Sequence, residues 1–343
     1  MILRAAKGTP VSGGLRQIEP ARAGDDATSR MAAEVRAGLA AVPRRLPSKF
    51  FYDERGSRLY EAITRLPEYY QSRTEARVLA SVADDVVARV RPAELVELGS
   101  GAGHKTRVML EAMARAGGLE RCALLDISAR ALSESVHALS RAFPDLAVRT
   151  IEGDFLRDLD VLGPGGGRLV VFLAGTLGNL HPADVPPFLS RLAERLEPGD
   201  GFLVGLQLVT ERRRMEAAYN DAAGVTAAFN RNILRVVNDR LGADFVPDAF
   251  EHVAFWDEAH AWIEMRLRAV RAQRVRIPAA RLDLTFAAGE AIRTEVSCKY
   301  TRATFDALLP GTGLGVDAWY EDPERVFALA LLGRRASRGG RAT

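Results

Sequence analysis

Cysteine is scarce in this chain of 343 residues, which contains only Cys122 and Cys298. The two are far apart in sequence, and neither lies in a spacing typical of a zinc site or of a disulfide framework. The five histidines likewise show no spacing that indicates a metal centre or a catalytic triad. We therefore expect no bound metal and a reducing compartment, which favours the cytoplasm.

Long apolar runs and a strong net charge are also missing. No run of roughly eighteen apolar residues is present, so we expect no membrane-spanning helix, and the N-terminal segment lacks the apolar core of a signal peptide. The formal net charge is only +3, and no basic patch is interleaved with aromatic residues. These absences argue against nucleic acid and membrane as partners. We expect a monomer that binds a small molecule.

Apolar residues make up 48% of the chain, which is enough to build a large core. Residues 1–30 and 335–343 are predicted to be flexible, as an N-terminal arm and a C-terminal tail. Residues 31–92 are mostly helical in pattern, residues 93–210 alternate short apolar strands with helices, and residues 211–334 change to an α+β pattern. The alternation predicts an α/β fold, with a Rossmann-like parallel sheet and a second, α+β domain formed by the two flanking segments.

One segment of the α+β part, "HAWIEMRLRAVRAQRVRI", has the alternation of an antiparallel strand with one solvated side. Ile263, Met265 and Leu267 would form its apolar face, and the alternating charged residues from Glu264 to Arg268 would face water. On this pattern alone, Met265 is equally explained as a core residue.

The glycine loop "VELGSGAGHKT" follows the first strand of the alternating region, and three ligands compete for it. A phosphate-binding P-loop needs glycine where His104 stands, and the dinucleotide fingerprint needs its third glycine one residue later than Gly103. The acid Glu97 is followed by a glycine at every second position from Gly99 to Gly103. This pattern resembles the first motif of S-adenosylmethionine-dependent methyltransferases. Glycines allow the backbone to approach such a ligand closely.

Acids at the ends of the next two strands support this interpretation. Asp126 would accept hydrogen bonds from both ribose hydroxyls, as in the related dinucleotide fold. Asp154 suits the adenine amino group, and Phe155 beside it would pack on the adenine ring. As an alternative, both acids could simply cap helices. Lys105 would pair with the cofactor's carboxylate, or else be a solvated residue in the first turn of its helix.

Longer motifs around this core resemble the histidine-specific Nα-methyltransferases of ergothioneine biosynthesis. The stretch "LPSKFFYDERGSRLYEAITRLPEYYQSRTEARVL" matches the family's opening signature, and "GTLGNL", "AAYNDAAGVTAAFNRNIL", "WIEMRL" and "RTEVSCKY" follow in the family's order. The resemblance covers residues 31–334. It implies a class I methyltransferase core at 93–210 with a substrate domain around it. The implied reaction converts L-histidine to hercynine, its Nα-trimethyl betaine, with S-adenosylhomocysteine as the second product.

The resemblance also implies the site residues, position by position. The cofactor-binding set would be Gly99, Lys105, Asp126, Asp154 and Phe155. The substrate-binding set would be Tyr69, Asn179, Tyr219, Met265, Glu295 and Ser297. Tyr52 and Asn179 would act on the reacting amine, and no metal is implied. The chain departs from the family at Gly103 and His104 in the glycine loop, and at Gln207, where an acid is common.

The proposed chemistry needs residues of these types. Methyl transfer requires a neutral amine aligned with the methyl group in a dry site, and phenols and amides hold an amine without stabilising its charge as a carboxylate would. Aromatic faces tolerate the permanent cation that accumulates. Glu295 and Ser297 are two apart on a strand, so they share a face and could hold both imidazole nitrogens. Alternatively, Glu295 could form a solvated ion pair with Arg293 or Lys299.

Two other functions remain open at this stage. Methylation of another aromatic amino acid, such as tryptophan, is disfavoured because an indole offers one donor and no acceptor to Glu295 and Ser297. A catalytically silent binding protein is disfavoured by the intact glycine loop together with Asp126 and Asp154.

Overall fold

The computed structural model describes residues 19–20, 27–101 and 103–335. Most of the predicted arm at 1–30 and of the predicted tail at 335–343 therefore lies outside the described residues. The last four residues of the predicted arm, from Ala27 onward, already form the first turn of a helix.

The helices agree with the predicted helical segments. They are α1 (Ala27–Ala40), α2 (Glu54–Thr64), α3 (Tyr70–Val90), α4 (His104–Arg115), α5 (Ala129–Ala142), α6 (Val185–Ala193), α7 (Arg212–Tyr219), α8 (Val225–Leu241) and α9 (Arg302–Asp306). Short 3₁₀ turns occur at Ser48–Phe51, Leu159–Leu162, Thr176–Asn179, Pro182–Asp184, Pro247–Ala249 and Pro278–Ala280. Polar caps fix several helix starts; the Ser128 side chain, for example, accepts from the backbone N–H of Ala131 at the start of α5.

Thirteen strands form three sheets within the described residues. They are β1 (Glu19–Pro20), β2 (Glu94–Leu98), β3 (Arg121–Asp126), β4 (Ala147–Glu152), β5 (Arg168–Phe172), β6 (Gly201–Gln207), β7 (Phe250–Asp257), β8 (Trp262–Ala269), β9 (Gln273–Ile277), β10 (Leu282–Phe286), β11 (Ala291–Cys298), β12 (Leu314–Glu321) and β13 (Phe327–Arg334).

The largest sheet has eight strands in the order β1-β4-β3-β2-β5-β6-β13-β12. The strands from β1 to β6 pair in parallel, and β13 is antiparallel to both of its neighbours. Successive crossovers lead outward from β2 to β4 on one side and from β5 to β6 on the other. The chain therefore reverses its winding beside β2, and ligands of such sheets bind at the carboxyl ends of the strands there. The predicted Rossmann-like core is confirmed.

Apolar strand sequences place this sheet in the middle of the molecule. Every residue of β5 and β6 is buried, as expected of parallel strands covered on both faces. Side chains of α3, α4 and α5 form the apolar cluster on one face. Side chains of α6 and α9, with the end of β11, form the cluster on the other face.

The second part of the molecule has its own apolar core. The sheet β7-β8-β11 is antiparallel, and the helices α1, α7 and α8 contribute side chains to the core around it. Phe51 and Phe229, whose ring centroids are 4.5 Å apart, belong to this core together with Met265. The predicted α+β character of this part agrees with the structure.

Three details of the predicted organisation are wrong. The sequence predicts that the segment 31–92 belongs to the substrate domain, but α3 packs on the central sheet. It predicts the same for the segment 211–334, but the last two strands, β12 and β13, extend the central sheet. A hairpin that adds strands at a distant edge leaves no local sequence signal, because its partner β6 precedes it by more than a hundred residues.

The third error concerns the segment predicted as a single strand with a solvated face. A turn divides it into β8 and β9, which belong to different sheets. Glu264 on the predicted wet face is only 2% exposed and pairs with Arg266 at 2.7 Å. The Arg266 side chain is 38% exposed, so the predicted solvated face is covered at Glu264 but not at Arg266.

None of the helices among the described residues is long and apolar enough to span a membrane.

Candidate active site

A cleft of about 860 Å³ opens at the carboxyl ends of the central strands, where α1, α2 and β11 face the sheet. A smaller pocket of about 40 Å³ adjoins it and shares several lining residues. All five predicted cofactor residues line the cleft: Gly99, Lys105, Asp126, Asp154 and Phe155. Tyr52, Asn179 and Glu295 line both spaces, and the remaining predicted substrate residues line the smaller pocket: Tyr69, Tyr219, Met265 and Ser297.

The glycine loop turns sharply between β2 and α4. Gly99, Gly101 and Gly103 all have positive φ, of 71°, 49° and 71°, a conformation that side chains with a Cβ seldom adopt. Under the loop, the buried Glu97 carboxylate accepts from the Thr106 hydroxyl. Burial raises the pKa of Glu97 to about 8, although the hydrogen bond from Thr106 acts in the opposite direction.

Asp126 at the end of β3 faces the glycine loop. Its carboxylate accepts from the backbone N–H of Gly101 at 3.0 Å and from that of Ser128 at 2.8 Å. Burial raises the pKa of Asp126, and the backbone hydrogen bonds from Gly101, Ser128 and Ile127 partly offset this. The side chain therefore both shapes the loop and lines the cleft.

Asp154 and Phe155 follow β4 on the same edge. The Lys49 ammonium bridges Asp154 at 2.8 Å and Glu34 on α1 at 2.9 Å, an ion pair that the sequence did not reveal. The ring of Phe155 packs against Phe172, with centroids 4.9 Å apart, and lies next to Gly99. An aromatic face and a carboxylate thus stand side by side in the cleft.

Lys105 lies in the first turn of α4 and pairs with the fully buried Glu75 of α3. The other oxygen of Glu75 accepts from the backbone N–H of Ala174 at 2.7 Å. Ala174 has a φ of 62° and begins the turn that carries Asn179. A Cβ at Gly205 would collide with Glu75, so glycine at that point of β6 makes room for the carboxylate.

Tyrosine rings line the passage from the cleft to the smaller pocket. Tyr52 and Tyr60 have ring centroids 5.7 Å apart, Tyr60 and Tyr69 are 6.4 Å apart, and Tyr69 and Tyr219 are 6.2 Å apart. Burial raises the pKa of the Tyr52, Tyr69 and Tyr219 phenols well above the usual value. These phenols stay protonated near neutral pH and offer hydrogen bonds and ring faces, not negative charge.

Glu295 lies where the cleft meets the smaller pocket. Burial raises the pKa of its carboxyl to about 7, while the charge of Lys299 and a hydrogen bond from Asn179 act in the opposite direction. The Asn179 amide nitrogen also donates to the backbone carbonyl of Val296 at 3.0 Å. This contact fixes the amide beside Glu295.

The base of the smaller pocket is a hydrogen-bonded cluster of Gln207, Tyr219, Ser297 and Lys299. The Tyr219 hydroxyl donates to Gln207 Oε1 at 3.0 Å and lies 2.7 Å from Ser297 Oγ. The Lys299 ammonium donates to Gln207 Oε1 at 2.6 Å, to Ser297 Oγ at 2.7 Å and to the Tyr219 hydroxyl at 3.0 Å. Burial lowers the pKa of Lys299 to about 7.

Several lining or supporting residues were missed by the sequence analysis: Lys49, Tyr60, Glu75 and Lys299. Lys299 continues the alternation of Glu295 and Ser297 on one strand face, a signal that was interpreted only as a solvated ion pair. Tyr60 lies in the same motif as Tyr52. Glu75 and Lys49 could not be found from local patterns, because their partners are distant in the chain.

The residues of the cleft fit a nucleoside ligand that carries a carboxylate. The Ser100 hydroxyl in the glycine loop is buried without a hydrogen-bond partner among the described residues, which is unusual unless a ligand supplies one. Within the same described part, no three His, Cys, Asp or Glu side chains group as metal ligands, and both cysteines are free thiols.

Comparison with known proteins identifies the family. The model of the family described as "Histidine-specific methyltransferase, SAM-dependent" matches residues 31–334. The chain is 48% identical over 309 residues to a histidine N-alpha-methyltransferase of Mycolicibacterium smegmatis, covering 90% of this chain and 96% of that protein. It is 45% identical over 298 residues to a protein of the same name from Mycobacterium tuberculosis, covering 87% and 93%.

A more distant relative is ergothioneine biosynthesis protein 1 of Neurospora crassa, with 31% identity over 205 residues, 58% of this chain and 23% of that protein. The family match spans both the sheet that carries the glycine loop and the strand that carries Glu295 and Ser297. This chain belongs to the histidine-specific, S-adenosylmethionine-dependent methyltransferases, and its core is the class I methyltransferase fold that the sequence predicted.

Proposed function

We propose that the enzyme transfers three methyl groups in succession to the α-amine of L-histidine and releases hercynine, the first step of ergothioneine biosynthesis. The family match and the two relatives named histidine N-alpha-methyltransferase support the amine of histidine as the acceptor. The Neurospora crassa relative, by its name, supports the pathway.

The observation that carries the proposal is the position of Glu295 and Ser297. Both line the small pocket next to the cleft, and Glu295 lines the cleft as well. A carboxylate and a hydroxyl on one strand face suit a ring that has one N–H donor and one acceptor nitrogen. With the imidazole held there, the backbone of the amino acid would point toward the cleft, where its amine meets Tyr52 and Asn179.

On the cofactor side, we assign S-adenosylmethionine to the cleft. Bound there, it supplies an electrophilic methyl group on a sulfonium. Asp126 would accept from the ribose hydroxyls, Asp154 would accept from the adenine amino group and Phe155 would cover the ring. Lys105 would reach the carboxylate, and Gly99 would leave room for close approach.

On the substrate side, the protein must hold a neutral amine. Tyr52 and Tyr69 stay protonated, as their raised pKa values indicate, so they do not stabilise an ammonium by negative charge. The Asn179 amide nitrogen donates to the backbone carbonyl of Val296, which would leave its oxygen to accept from a donor such as the amine. The surrounding aromatic rings can accommodate the growing methylammonium cation. Met265 would close the pocket on the side of the imidazole.

The test is mass spectrometry of products from a mixture of amino acids incubated with the enzyme and excess S-adenosylmethionine. We expect histidine to be consumed and to end as the trimethyl form, with α-N-methyl and α-N,N-dimethyl histidine accepted as substrates. Accumulation of monomethyl histidine as the end product would contradict the trimethylation, and consumption of tryptophan in place of histidine would contradict the assigned substrate.

A further inference from the structure

Lys299 is a buried cation at the base of the substrate pocket. Its side chain is almost inaccessible, with the residue 2% exposed. The ammonium donates to the three oxygens of Gln207, Ser297 and Tyr219 within 3.0 Å. An ammonium has three donors and no acceptor, so in this form all its capacity is used and each of these oxygens accepts from it.

This arrangement constrains where the remaining hydroxyl protons can point. Tyr219 donates its one proton to Gln207 or to Ser297, both of which lie within 3.0 Å. While Lys299 is an ammonium, Ser297 cannot donate to it, because an ammonium does not accept. When Tyr219 donates to Ser297, the serine oxygen accepts twice from the protein, and its own proton must point elsewhere. When Tyr219 donates to Gln207, its own oxygen already accepts from Lys299, so the serine proton has only that occupied oxygen or the pocket to point to. The open side of the serine is the pocket it lines.

We propose that Lys299 is a specificity-determining positioning residue, which makes the Ser297 hydroxyl a hydrogen-bond donor toward the substrate ring. The inference rests on the proposed function and goes beyond it. Glu295 would select a ring N–H, and Ser297, oriented by Lys299, would select a ring nitrogen with a free lone pair. The pocket would then favour amino acids whose side-chain ring carries both groups.

Three substrates separate the two halves of this recognition. Histidine carries an N–H and a lone-pair nitrogen at two different ring positions, so each analogue is tested as both positional isomers and the better wild-type substrate of each pair is used. β-(Thiazol-4-yl)- and β-(thiazol-5-yl)alanine carry only the lone pair, and β-(pyrrol-2-yl)- and β-(pyrrol-3-yl)alanine carry only the N–H. The measurement is kcat/KM for each substrate with wild type, Lys299→Met, Ser297→Ala and the double variant, at one pH and saturating cofactor.

We expect Lys299→Met to lower kcat/KM for histidine and the thiazole about tenfold or more, since a lone pair would lose its donor in a buried site. Activity on the pyrrole should fall clearly less than activity on the thiazole, because the pyrrole ring has no lone pair for the Ser297 hydroxyl to reach. The double variant should be no worse than Ser297→Ala alone, because Lys299 acts through the serine. Glu295→Leu is the matched opposite case: kcat/KM for histidine and the pyrrole should fall more than kcat/KM for the thiazole, which has no N–H for the carboxylate to accept.

Equal losses on all three substrates would show that Lys299 only supports the fold, and no loss on any would show that it does not orient the serine; either overturns the proposal. Circular dichroism and the cofactor dissociation constant verify each variant. If Lys299→Met does not fold, Lys299→Gln retains N–H donors and should lose less than Ser297→Ala.

The Ser297→Ala variant tests the proposal independently of the Lys299 variants. If its kcat/KM for the thiazole equals that of wild type, the proposal is overturned, whatever the result for the Lys299 variants. The proposed function fails separately, if wild type does not methylate histidine at all.

Discussion

The Asp126 carboxylate accepts a hydrogen bond from the backbone N–H of Gly101, and it also lines the cofactor cleft. We predict that Asp126→Ala raises the dissociation constant for S-adenosylmethionine at least about tenfold, since hydrogen bonds to a charged group contribute about 1.5–3 kcal/mol each. Isothermal titration calorimetry measures the change. Asp145→Ala, at an exposed position before β4, is the control and should bind as wild type does. An unchanged constant in Asp126→Ala would remove this residue from the cofactor site.

Glu295 is the residue on which substrate choice depends most directly. We predict that Glu295→Leu raises KM for histidine about tenfold or more, because the imidazole N–H would lose its buried acceptor, at a cost of about 1–3 kcal/mol. Cofactor affinity should stay within about twofold, since the assigned cofactor contacts lie on other strands.

The same variant should gain relative activity on tryptophan or phenylalanine, and adding Met265→Val should enlarge the pocket for these rings. The measurement is kcat/KM on histidine and tryptophan, with folding verified by circular dichroism. A folded Glu295→Leu enzyme that keeps the wild-type preference for histidine would show that the imidazole is held elsewhere.

At this scale the sequence predicted the positions of site residues better than their partners. The family motifs placed Tyr52, Asn179 and Glu295 around one space, and all three line it. The partners of Lys105 and Asp154 were not predictable, since Glu75 and Lys49 come from helical segments whose docking depends on tertiary packing. Local spacing contains no information about such contacts.

At the scale of elements, α3 connects the two sites through Glu75. Its carboxylate pairs with Lys105 beside the cofactor loop and accepts from Ala174 at the start of the turn that bears Asn179. We predict that Glu75→Gln lowers the free energy of unfolding by about 3 kcal/mol, because it leaves the mostly buried Lys105 ammonium without its counter-charge. Urea denaturation gives the value, and Asp84→Asn, an exposed acid on the same helix that pairs with Arg115, is the control.

A second variant separates charge from packing. Adding Lys105→Met to Glu75→Gln removes the unpaired cation, so we expect most of the lost stability to return. Cofactor affinity should not return, because the cation assigned to the cofactor's carboxylate is gone. If the double variant is less stable than Glu75→Gln alone, the ion pair is not the reason for the loss.

Elements with a strong local pattern were predicted well, and those defined by distant pairing were not. The strands β2 and β3 are short apolar runs that end at the glycine loop and at an acid, and β5 is an apolar run after a glycine-rich turn. The alternating pattern of residues 93–210 predicted each of them. The break between β8 and β9 was missed because apolar and charged residues continue to alternate through the turn. In that segment the alternation indicated neither the burial of Glu264 nor which strands pair.

At the scale of the whole molecule, buried acids make stability depend on pH. Burial raises the pKa of Glu97 from 4.5 to about 8, so the folded protein holds a proton that the unfolded chain releases above about pH 4.5. The contribution of this carboxyl is therefore fully present below pH 4.5 and is lost as the pH rises to about 8. Glu295 acts in the same direction up to about pH 7, and Lys299, with a lowered pKa, acts oppositely above that pH.

We predict that Glu97→Gln has nearly the wild-type free energy of unfolding at pH 5 and exceeds it by a few kcal/mol, about 2–4, at pH 8. Urea denaturation at pH 5, 6, 7 and 8 provides both curves. Glu120→Gln is the control, since Glu120 is an exposed acid just before β3. Parallel curves for Glu97→Gln and wild type would mean that Glu97 is ionised in the folded protein throughout this range.

The late position of β13 in the chain has a consequence for synthesis. Gln207 pairs in register with Phe327, about 120 positions later. At about 5–20 residues per second on the ribosome, roughly 6–24 seconds separate the appearance of β6 from that of its second neighbour. The sequence of β6 is "GFLVGLQ", and every residue of it is buried in the finished fold. During that interval, one edge of this strand remains unpaired while the rest of the chain is synthesised. Translation rate and chaperone supply after β6 should therefore govern the yield of soluble enzyme more than any change in the completed active site.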